Sequence, residues 1–270
     1  GLLLCSGNDA AIAIAEHIGG TVENFLEMMN EKAVHIGARN TQFRSPHGLD
    51  MEGHYSTAYD LAIIASYALA NPDFSKIVST KSASIQGMWF SNTNEMLSIY
   101  PGADGVKTGY TGKAGRCLVT SATRNGWRIV SVVLQCPSRD TRALSSKKIL
   151  DYTFNNYKPY VLQKKGQCFV ELPLKKGMKN FVEVRTVEEI TIPLKDFERT
   201  LLERRVYLPR YLNAPVYAGV DVGTVRYYIN GEIIADSDLV LWSDVRRKDF
   251  LYYLGQIFRE WCRVMREGIF

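Results

Sequence analysis

The chain has 270 residues, which is enough for one large domain or two ordinary ones. Apolar residues make up 46% of it and charged residues 23%, an ordinary composition for a folded globular protein. Its net charge of +5 is concentrated in residues 246–270, which hold six basic and three acidic side chains. The remainder is nearly neutral, so the sequence predicts no basic face for nucleic acid.

The amino-terminal residues show no signal peptide. The chain begins at Gly1, and no basic region precedes the leucines that follow it. Bulky Leu4 before Cys5 disfavours a lipoprotein processing site, where a small residue is needed. We therefore expect the chain to start within a domain and to be a fragment of a longer precursor.

The cysteines are odd in number, widely scattered and without any Cys-x-x-Cys pair. This distribution predicts neither a disulfide framework nor a zinc site. We expect them to act as small buried hydrophobic side chains. They are Cys5, Cys117, Cys136, Cys168 and Cys262.

Two helices are predicted near the start. Residues 9–18 are rich in alanine, a strong helix former, and a Gly-Gly pair follows them. Thr21 can cap a second helix, in which apolar residues recur at alternating spacings of 4 and 3 from Val22 to Ile36.

A third helix is predicted from about Thr57 to Ala70. Thr57 and Asp60 have the Thr-x-x-Asp spacing of a variant capping box, in which each side chain would bond the backbone of the other. Asn71-Pro72 predicts the end of this helix.

An antiparallel meander is predicted next. Residues 118–122 and 129–135 are short β-branched runs, and Asn125-Gly126 between them is a strong hairpin indicator. The run 105–111, with the sequence GVKTGYT, should lie on or beside the first strand of this meander. Residues 140–155 are then expected to form a closing helix.

The sequence pattern changes at residue 158. Short alternating runs at 181–184, 189–192 and 225–229 are separated by turn residues such as Asn230-Gly231. Residues 158–245 are therefore predicted to form an all-β domain.

Residues 246–270 are predicted to form an amphipathic helix that associates with a membrane surface. An apolar stripe runs from Phe250 to Met265, and charges such as Arg259 and Glu260 interrupt it, so it cannot span a bilayer. The basic run 246–248 would lie among anionic headgroups. In the alternative interpretation, the stripe packs on the β domain or on a partner.

Two short motifs carry the predicted chemistry, Ser6-Gly7-Asn8 and Lys107-Thr108-Gly109. Each alone is a common turn sequence. In this order, on a helix end and a strand, they resemble two motifs of enzymes that transfer an acyl group through a serine ester. Ser6 could relay a proton, and the amide of Asn8 could orient a substrate amide. Lys107 and Thr108 could bind a substrate carboxylate, and Gly109 would let an extended substrate approach the strand edge.

The sequences around both motifs resemble the D-alanyl-D-alanine carboxypeptidases, which are low-molecular-mass penicillin-binding proteins. The resemblance rests on 6–11 (SGNDAA), 47–49 (HGL), 54–62 (HYSTAYDLA), 100–111 (YPGADGVKTGYT) and 114–123. Penicillin-binding proteins and serine β-lactamases share the motif set Ser-x-x-Lys, Ser-x-Asn and Lys-Thr-Gly.

The resemblance spans about residues 4–157 and implies an α+β fold. Residues 1–157 would be a partial peptidase domain of the β-lactamase and penicillin-binding-protein type, an antiparallel sheet with helices whose amino-terminal part is missing. The all-β domain and the terminal amphipathic helix are similar to the usual continuation of the family.

The resemblance also implies roles for individual residues. Ser6 and Asn8 match the second motif, with Ser6 as proton shuttle, and residues 107–109 match the third motif, which binds the substrate carboxylate. The backbone N–H of Tyr110 would donate to the oxyanion. Arg142 matches an arginine near that carboxylate.

The implied substrate is the peptidoglycan stem peptide that ends in D-Ala-D-Ala, from which the last residue is released by acylation and hydrolysis. No cofactor is implied. β-Lactam antibiotics would bind the full-length form, and the protein would lie peripherally on the outer face of the cytoplasmic membrane.

The chain departs from the family pattern because no Ser-x-x-Lys precedes Ser6. The sequence has this spacing at Ser145 and Lys148, after Lys107-Thr108-Gly109 and in the closing helix, where we interpret it as a solvated face. This chain alone should therefore not form an acyl-enzyme. One alternative is a non-catalytic relative that binds peptidoglycan or a membrane partner. A β-lactamase is disfavoured, because no glutamate lies in a recognisable deacylation context.

Two histidines, His47 and His54, share a loop that the family places near the site. Two histidines without a clear third ligand are a poor metal site. We therefore expect no metal.

Overall fold

The computed structural model describes residues 1–267 and has an α+β fold. The chain divides into two compact units, Gly1–Asn155 and the residues from Asn156 onward. The helices of the first unit are α1 (Leu2–Cys5), α2 (Asn8–Gly19), α3 (Val22–His35), α4 (Ala58–Leu69), α5 (Pro72–Val78), α6 (Met96–Ile99) and α7 (Arg139–Asn156). Its strands are β1 (Ser82–Ile85), β2 (Met88–Ser91), β3 (Ala103–Thr111), β4 (Gly115–Arg124) and β5 (Trp127–Cys136).

A three-stranded antiparallel sheet, in the order β3-β4-β5, lies at the centre of the first unit. Successive residues of a strand point to opposite faces, so Leu118 packs with Met96 and Leu150 while Val119 packs with Leu69 and its neighbours. Helices α6 and α7 thus cover one face, and α4 and α5 cover the other. In this order, β3 is an edge strand.

The predicted helix caps are confirmed. Thr21 Oγ1 accepts the N–H of Asn24 at 3.2 Å, and Thr57 Oγ1 accepts the N–H of Asp60 at 3.1 Å. The capping box at Thr57 is wrong in its second half. The buried carboxylate of Asp60 accepts the Asn40 N–H at 2.6 Å and the Thr41 hydroxyl at 2.7 Å instead.

Asn71-Pro72 ends α4, as predicted, but it also begins α5, which the sequence analysis missed. The side chain of Asn71 accepts the N–H groups of Asp73 and Phe74, and Pro72 occupies the first helical position. Proline suits that position because its missing N–H would have no partner there.

The predicted β-hairpin is confirmed, and β4 and β5 are longer than the apolar runs that indicated them. Asn125 and Gly126 both have positive φ, 51° and 78°, and lie in the two-residue turn between the strands. Asparagine and glycine tolerate that backbone better than other residues.

The second unit is rich in β-structure. Its strands are β6 (Lys158–Gln163), β7 (Cys168–Lys175), β8 (Phe181–Thr186), β9 (Ile190–Leu194), β10 (Leu202–Tyr207), β11 (Leu212–Asn213), β12 (Asp221–Ile229) and β13 (Glu232–Leu241). A six-stranded sheet has the order β10-β12-β13-β8-β7-β11, and β6 pairs with β9. Its core includes Val184, Val225, Tyr227, Leu239 and Leu241.

Helix α8 (Phe250–Glu267) follows the sheet and has a largely exposed apolar face. Phe250 is 76% exposed and Ile257 67% exposed. The backbone just before the helix is held in the β-rich unit, since Met178 N–H donates to Arg246 O at 2.9 Å and Lys248 N–H to Lys176 O at 2.8 Å. Within residues 1–267, no helix is both long and apolar enough to cross a bilayer.

The expectation of buried cysteines is wrong. All five are free thiols; Cys5 and Cys168 are exposed, and Cys117, Cys136 and Cys262 are half-buried. Cys5 is the last residue of the short α1, and Cys168 begins β7, so neither position faces a core.

Candidate active site

A cavity of about 630 Å³ lies at the free edge of β3. It is lined by every residue for which the sequence predicts a role: Ser6, Asn8, Lys107, Thr108, Gly109, Tyr110 and Arg142. It is also lined by residues that the sequence analysis did not single out as functional, among them Thr93, Arg116 and Arg139. The two motifs, remote in sequence, thus form one site.

Ser6 lies between two helices. It ends α1 with a left-handed backbone, φ 60° and ψ 42°, and its N–H bonds the carbonyl of Leu2 at 3.1 Å. Gly7 then caps α2, of which Asn8 is the first residue. A left-handed serine is uncommon, and such backbones cluster at functional sites. This turn directs the Ser6 hydroxyl toward β3.

The ammonium group of Lys107 donates directly to Ser6 Oγ and also to the carbonyl of Thr108, at 3.2 Å. Burial lowers the pKa of Lys107, and the nearby charge of Arg142 lowers it further, while Cys5 has a smaller opposing effect than burial. A lysine with a lowered pKa loses its proton more readily, which suits a proton relay through Ser6.

The four-residue segment 92–95 connects three elements around the cavity. The Thr93 hydroxyl lies 2.7 Å from the Thr108 hydroxyl on β3, and the Thr93 N–H donates to Leu4 O on α1 at 3.1 Å. The segment thereby holds the helix before Ser6 against the strand that carries Lys107.

Glu95, in the same segment, binds Arg142. The guanidinium donates to Glu95 Oε1 at 3.1 and 2.8 Å and to Oε2 at 2.6 Å, and it also contacts the Cys117 carbonyl at 3.4 Å. Arg142 is only 3% exposed. Glu95 therefore already balances the charge of Arg142, a partner that the sequence analysis did not foresee.

The loop 45–50 lies on another side of the cavity, where His47, Gly48 and Leu49 line it. Asp50 holds the loop to the end of β3, since its carboxylate accepts the Thr111 hydroxyl at 2.7 Å and the Lys113 N–H at 3.4 Å.

The two histidines of this region have different surroundings. His47 lines the cavity, whereas His54 Nδ1 accepts the N–H of Arg44 at 3.0 Å. Burial lowers the pKa of His54, and the charge of His47 lowers it further, against an opposing effect of Asp50. Among residues 1–267, no group of three or more His, Cys, Asp or Glu side chains is arranged to hold a metal ion.

The Ser-x-x-Lys spacing at Ser145 and Lys148 lies on α7, and neither residue lines the cavity. Lys148 is exposed. The intervening Ser146 is buried and hydrogen-bonds Ser131 at 2.6 Å. The position of this motif fits a solvated face of a structural helix.

The fold is of the penicillin-binding-protein type, a helix-covered antiparallel sheet followed by a small β-rich unit and a terminal helix. A family profile described as D-alanyl-D-alanine carboxypeptidase matches residues 1–138, and a second, described as the C-terminal domain of penicillin-binding protein 5, matches residues 157–247. The chain belongs to the D-alanyl-D-alanine carboxypeptidase family.

Individual relatives agree with this assignment. The chain is 35% identical to the D-alanyl-D-alanine carboxypeptidase DacF of Bacillus subtilis, an alignment that covers 97% of this chain and 69% of the relative. It is also 35% identical to DacA of Haemophilus influenzae, covering 100% of this chain and 69% of the relative. The solved structure of penicillin binding protein 5 from Haemophilus influenzae superposes with a TM-score of 0.81 at 35% identity, covering 92% of this chain and 73% of that one.

Proposed function

We propose that the cavity binds the D-alanyl-D-alanine end of a peptidoglycan stem peptide for cleavage by a serine carboxypeptidase mechanism. One observation carries the proposal: Lys107 Nζ contacts Ser6 Oγ in a cavity that Thr108, on the same edge strand as Lys107, also lines. An ammonium and two hydroxyls at one point suit a substrate carboxylate and a leaving amine.

The peptide would add to β3 as an antiparallel strand. In the part of the chain that the structure describes, β3 pairs with β4 alone, so its other edge is free for a main-chain ligand. A Cβ added at Gly109 would meet the Cys117 side chain at 3.8 Å, an ordinary contact distance, so packing within the protein does not require a glycine there. The missing side chain instead lets the peptide approach the strand closely. The Tyr110 N–H would then donate to the oxyanion of the cleaved bond.

In the proposed reaction, a serine oxygen attacks the carbonyl carbon of the penultimate D-alanine. The C–N bond to the last D-alanine breaks, and the leaving nitrogen takes a proton through Ser6, with Asn8 orienting the amide. Water then attacks the ester and regenerates the serine. Lys107 and Thr108 bind the terminal carboxylate until the last D-alanine leaves, and no cofactor takes part.

We further propose that the attacking serine is not one of these 270 residues and that this chain alone binds substrate without turnover. The position of Ser145 and Lys148 outside the cavity supports this. Fluorescent penicillin should label penicillin binding protein 5 of Haemophilus influenzae as a positive control and leave this chain unlabelled. Covalent labelling of this chain would contradict the proposal.

Binding can be tested separately with diacetyl-L-lysyl-D-alanyl-D-alanine, titrated into the chain and followed by NMR. Thr108→Val should weaken binding by about tenfold, because a hydroxyl that binds a charged group is lost. Thr153→Val is the matched control, since Thr153 lies on α7 and bonds Ile149 O at 2.9 Å. Absence of binding to the unaltered chain, or equal losses in both variants, would refute the proposed site.

The position of Ser145 and Lys148 outside the cavity also supports a second candidate function, that of a non-catalytic relative that binds peptidoglycan or a membrane partner. The coding sequence upstream of Gly1 distinguishes the two. A Ser-x-x-Lys segment there supports the enzyme, and its absence supports the binding protein.

We also propose that α8 binds an anionic membrane surface on the outer side of the cytoplasmic membrane. Its exposed apolar face and the adjacent basic residues 246–248 support this. Phe258→Ser should reduce sedimentation with phosphatidylglycerol vesicles. Tyr217→Ser, at a residue that is likewise 61% exposed but lies outside the helix, should not. If Phe258→Ser lowers the melting temperature and leaves sedimentation unchanged, the apolar face is structural.

A further inference from the structure

The cavity has more positive charge than a single substrate carboxylate requires. Lys107, Arg116, Arg139 and Arg142 line it, and no aspartate or glutamate of the described residues does. Lys107 contacts Ser6, and Glu95 balances Arg142. Within residues 1–267, Arg116 and Arg139 make no ion pair, so their charges face the cavity uncompensated.

The strand register places these two arginines at one corner of the sheet. Arg116 on β4 is paired with Tyr110 on one side and with Cys136 on the other. Cys136 ends β5, and Arg139 begins α7 shortly after it. The Arg116 guanidinium also lies over the Tyr110 ring, 4.4 Å from its centroid. Stacking of this kind orients a guanidinium while leaving its N–H edge free for an anion.

The spacing along β3 relates this corner to the proposed substrate. A strand rises about 3.3–3.4 Å per residue, so Tyr110 lies about 10 Å from Lys107. A peptide that runs antiparallel to β3, with its terminal carboxylate at Lys107 and Thr108, would place the residue ahead of its two alanines near Tyr110. Arg116 and Arg139 would then face that residue or the group attached to it.

We infer that Arg116 and Arg139 form a second carboxylate-binding position, for a free carboxylate carried ahead of the D-alanyl-D-alanine unit. The preferred substrates are thus stem peptides in which that carboxylate is ionised, as opposed to amidated. This inference rests on the proposed function, since it uses the same cavity and the same direction of the peptide.

The neighbouring acids leave this position cationic. The Asp50 carboxylate accepts the Thr111 hydroxyl and the backbone N–H of Lys113, and it does not line the cavity. Asp140 follows Arg139 in the sequence but is exposed and lies outside the lining.

The test compares two peptides on the 270-residue chain. The first is diacetyl-L-lysyl-D-alanyl-D-alanine, with one carboxylate, and the second has a succinyl group in place of the α-acetyl group, which adds a carboxylate. We expect the succinyl peptide to bind about tenfold more tightly at low salt, as for two exposed charge-assisted contacts. The advantage should shrink as salt is raised.

The double variant Arg116→Gln/Arg139→Gln should abolish the advantage of the succinyl peptide, measured as the ratio of its affinity to that of the diacetyl peptide. The control Lys147→Gln/Lys148→Gln removes the same charge from exposed positions of α7 outside the cavity, and the advantage should remain. Melting temperatures of both double variants establish that they are folded.

The outcomes separate this inference from the proposed function. Equal affinity of the two peptides for the unaltered chain, or an advantage that survives in the arginine variant, overturns the second carboxylate position alone. Loss of the advantage in the lysine control also overturns the second carboxylate position, because the effect would then depend on the net charge of the protein and not on these two arginines. If neither peptide binds, the proposed function fails as well.

Discussion

The Glu95–Arg142 pair allows a prediction with a definite asymmetry. The side chain of Arg142 is 4% exposed and that of Glu95 is 29% exposed, so water reaches the acid and hardly reaches the base. Removing either partner leaves the other unpaired, and the cost follows how deeply that remaining charge is buried. Glu95→Gln should therefore be more damaging than Arg142→Met.

The expected magnitudes follow from this exposure. Breaking a buried pair costs about 3–5 kcal/mol, and glutamine can still accept one hydrogen bond, so Glu95→Gln should cost about 2–4 kcal/mol. Arg142→Met leaves a partly hydrated carboxylate and should cost about 1–2 kcal/mol. The double variant should resemble Arg142→Met, which implies a coupling energy as large as the cost of Glu95→Gln, about 2–4 kcal/mol.

Urea unfolding monitored by tryptophan fluorescence can measure these energies in the first unit alone. Trp127 packs edge-on against Phe154, with ring centroids 5.6 Å apart, whereas Trp89 is 70% exposed and should respond weakly. Trp242→Phe and Trp261→Phe would remove the signal of the second unit. Equal slopes with urea must be verified before free energies are compared. Additive effects of the two substitutions, or a greater cost for Arg142→Met, would refute the reasoning.

Three further outcomes are expected. The pKa of His54 in the folded chain lies below its usual 6.5, so the unfolded chain binds more protons at this residue, and stability should fall as pH drops below about 6.5. His54→Asn should reduce the dependence of the melting temperature on pH below 6.5, and an unchanged dependence would contradict this. Leu150→Ala should cost about 2–5 kcal/mol in urea unfolding, against less than about 0.5 for the exposed Leu144→Ala, and similar costs would count against the assigned core. Asn71→Ala should cost about 1 kcal/mol by losing the cap of α5, whereas Asn71→Asp should retain most of the stability; equal losses would argue against the cap.

Local chemistry made much of the fold predictable. Asn125-Gly126 has the residues that its positive φ angles favour, and Thr21 caps its own helix, so both features depend on neighbours in sequence. Helix α5 was missed because Pro72 both ends one helix and begins another. Helix α1 has only four residues, too few for a periodic pattern.

The site was predictable where motifs carry it and not where tertiary contacts do. Ser6 and Lys107 were paired by motif order, and the structure brings them into contact across 101 positions of sequence. Nothing around Glu95 indicates which cation its carboxylate meets, because Arg142 reaches it from a helix 47 positions away. Arg116 is a similar case, since its exposure to the cavity follows from the pairing of β4 with β3.

The segment 92–95 has a consequence for which sequence changes the chain can tolerate. Thr93 bonds both Leu4 O on α1 and the Thr108 hydroxyl on β3, and Glu95 binds Arg142 on α7. The length of the segment therefore sets the spacing of these three elements around the cavity. A single inserted residue would displace all three elements, whereas a substitution at Thr93 would remove only its side-chain contact with Thr108 and leave the spacing intact. Insertions and deletions should accordingly be excluded here even where the residue types vary freely.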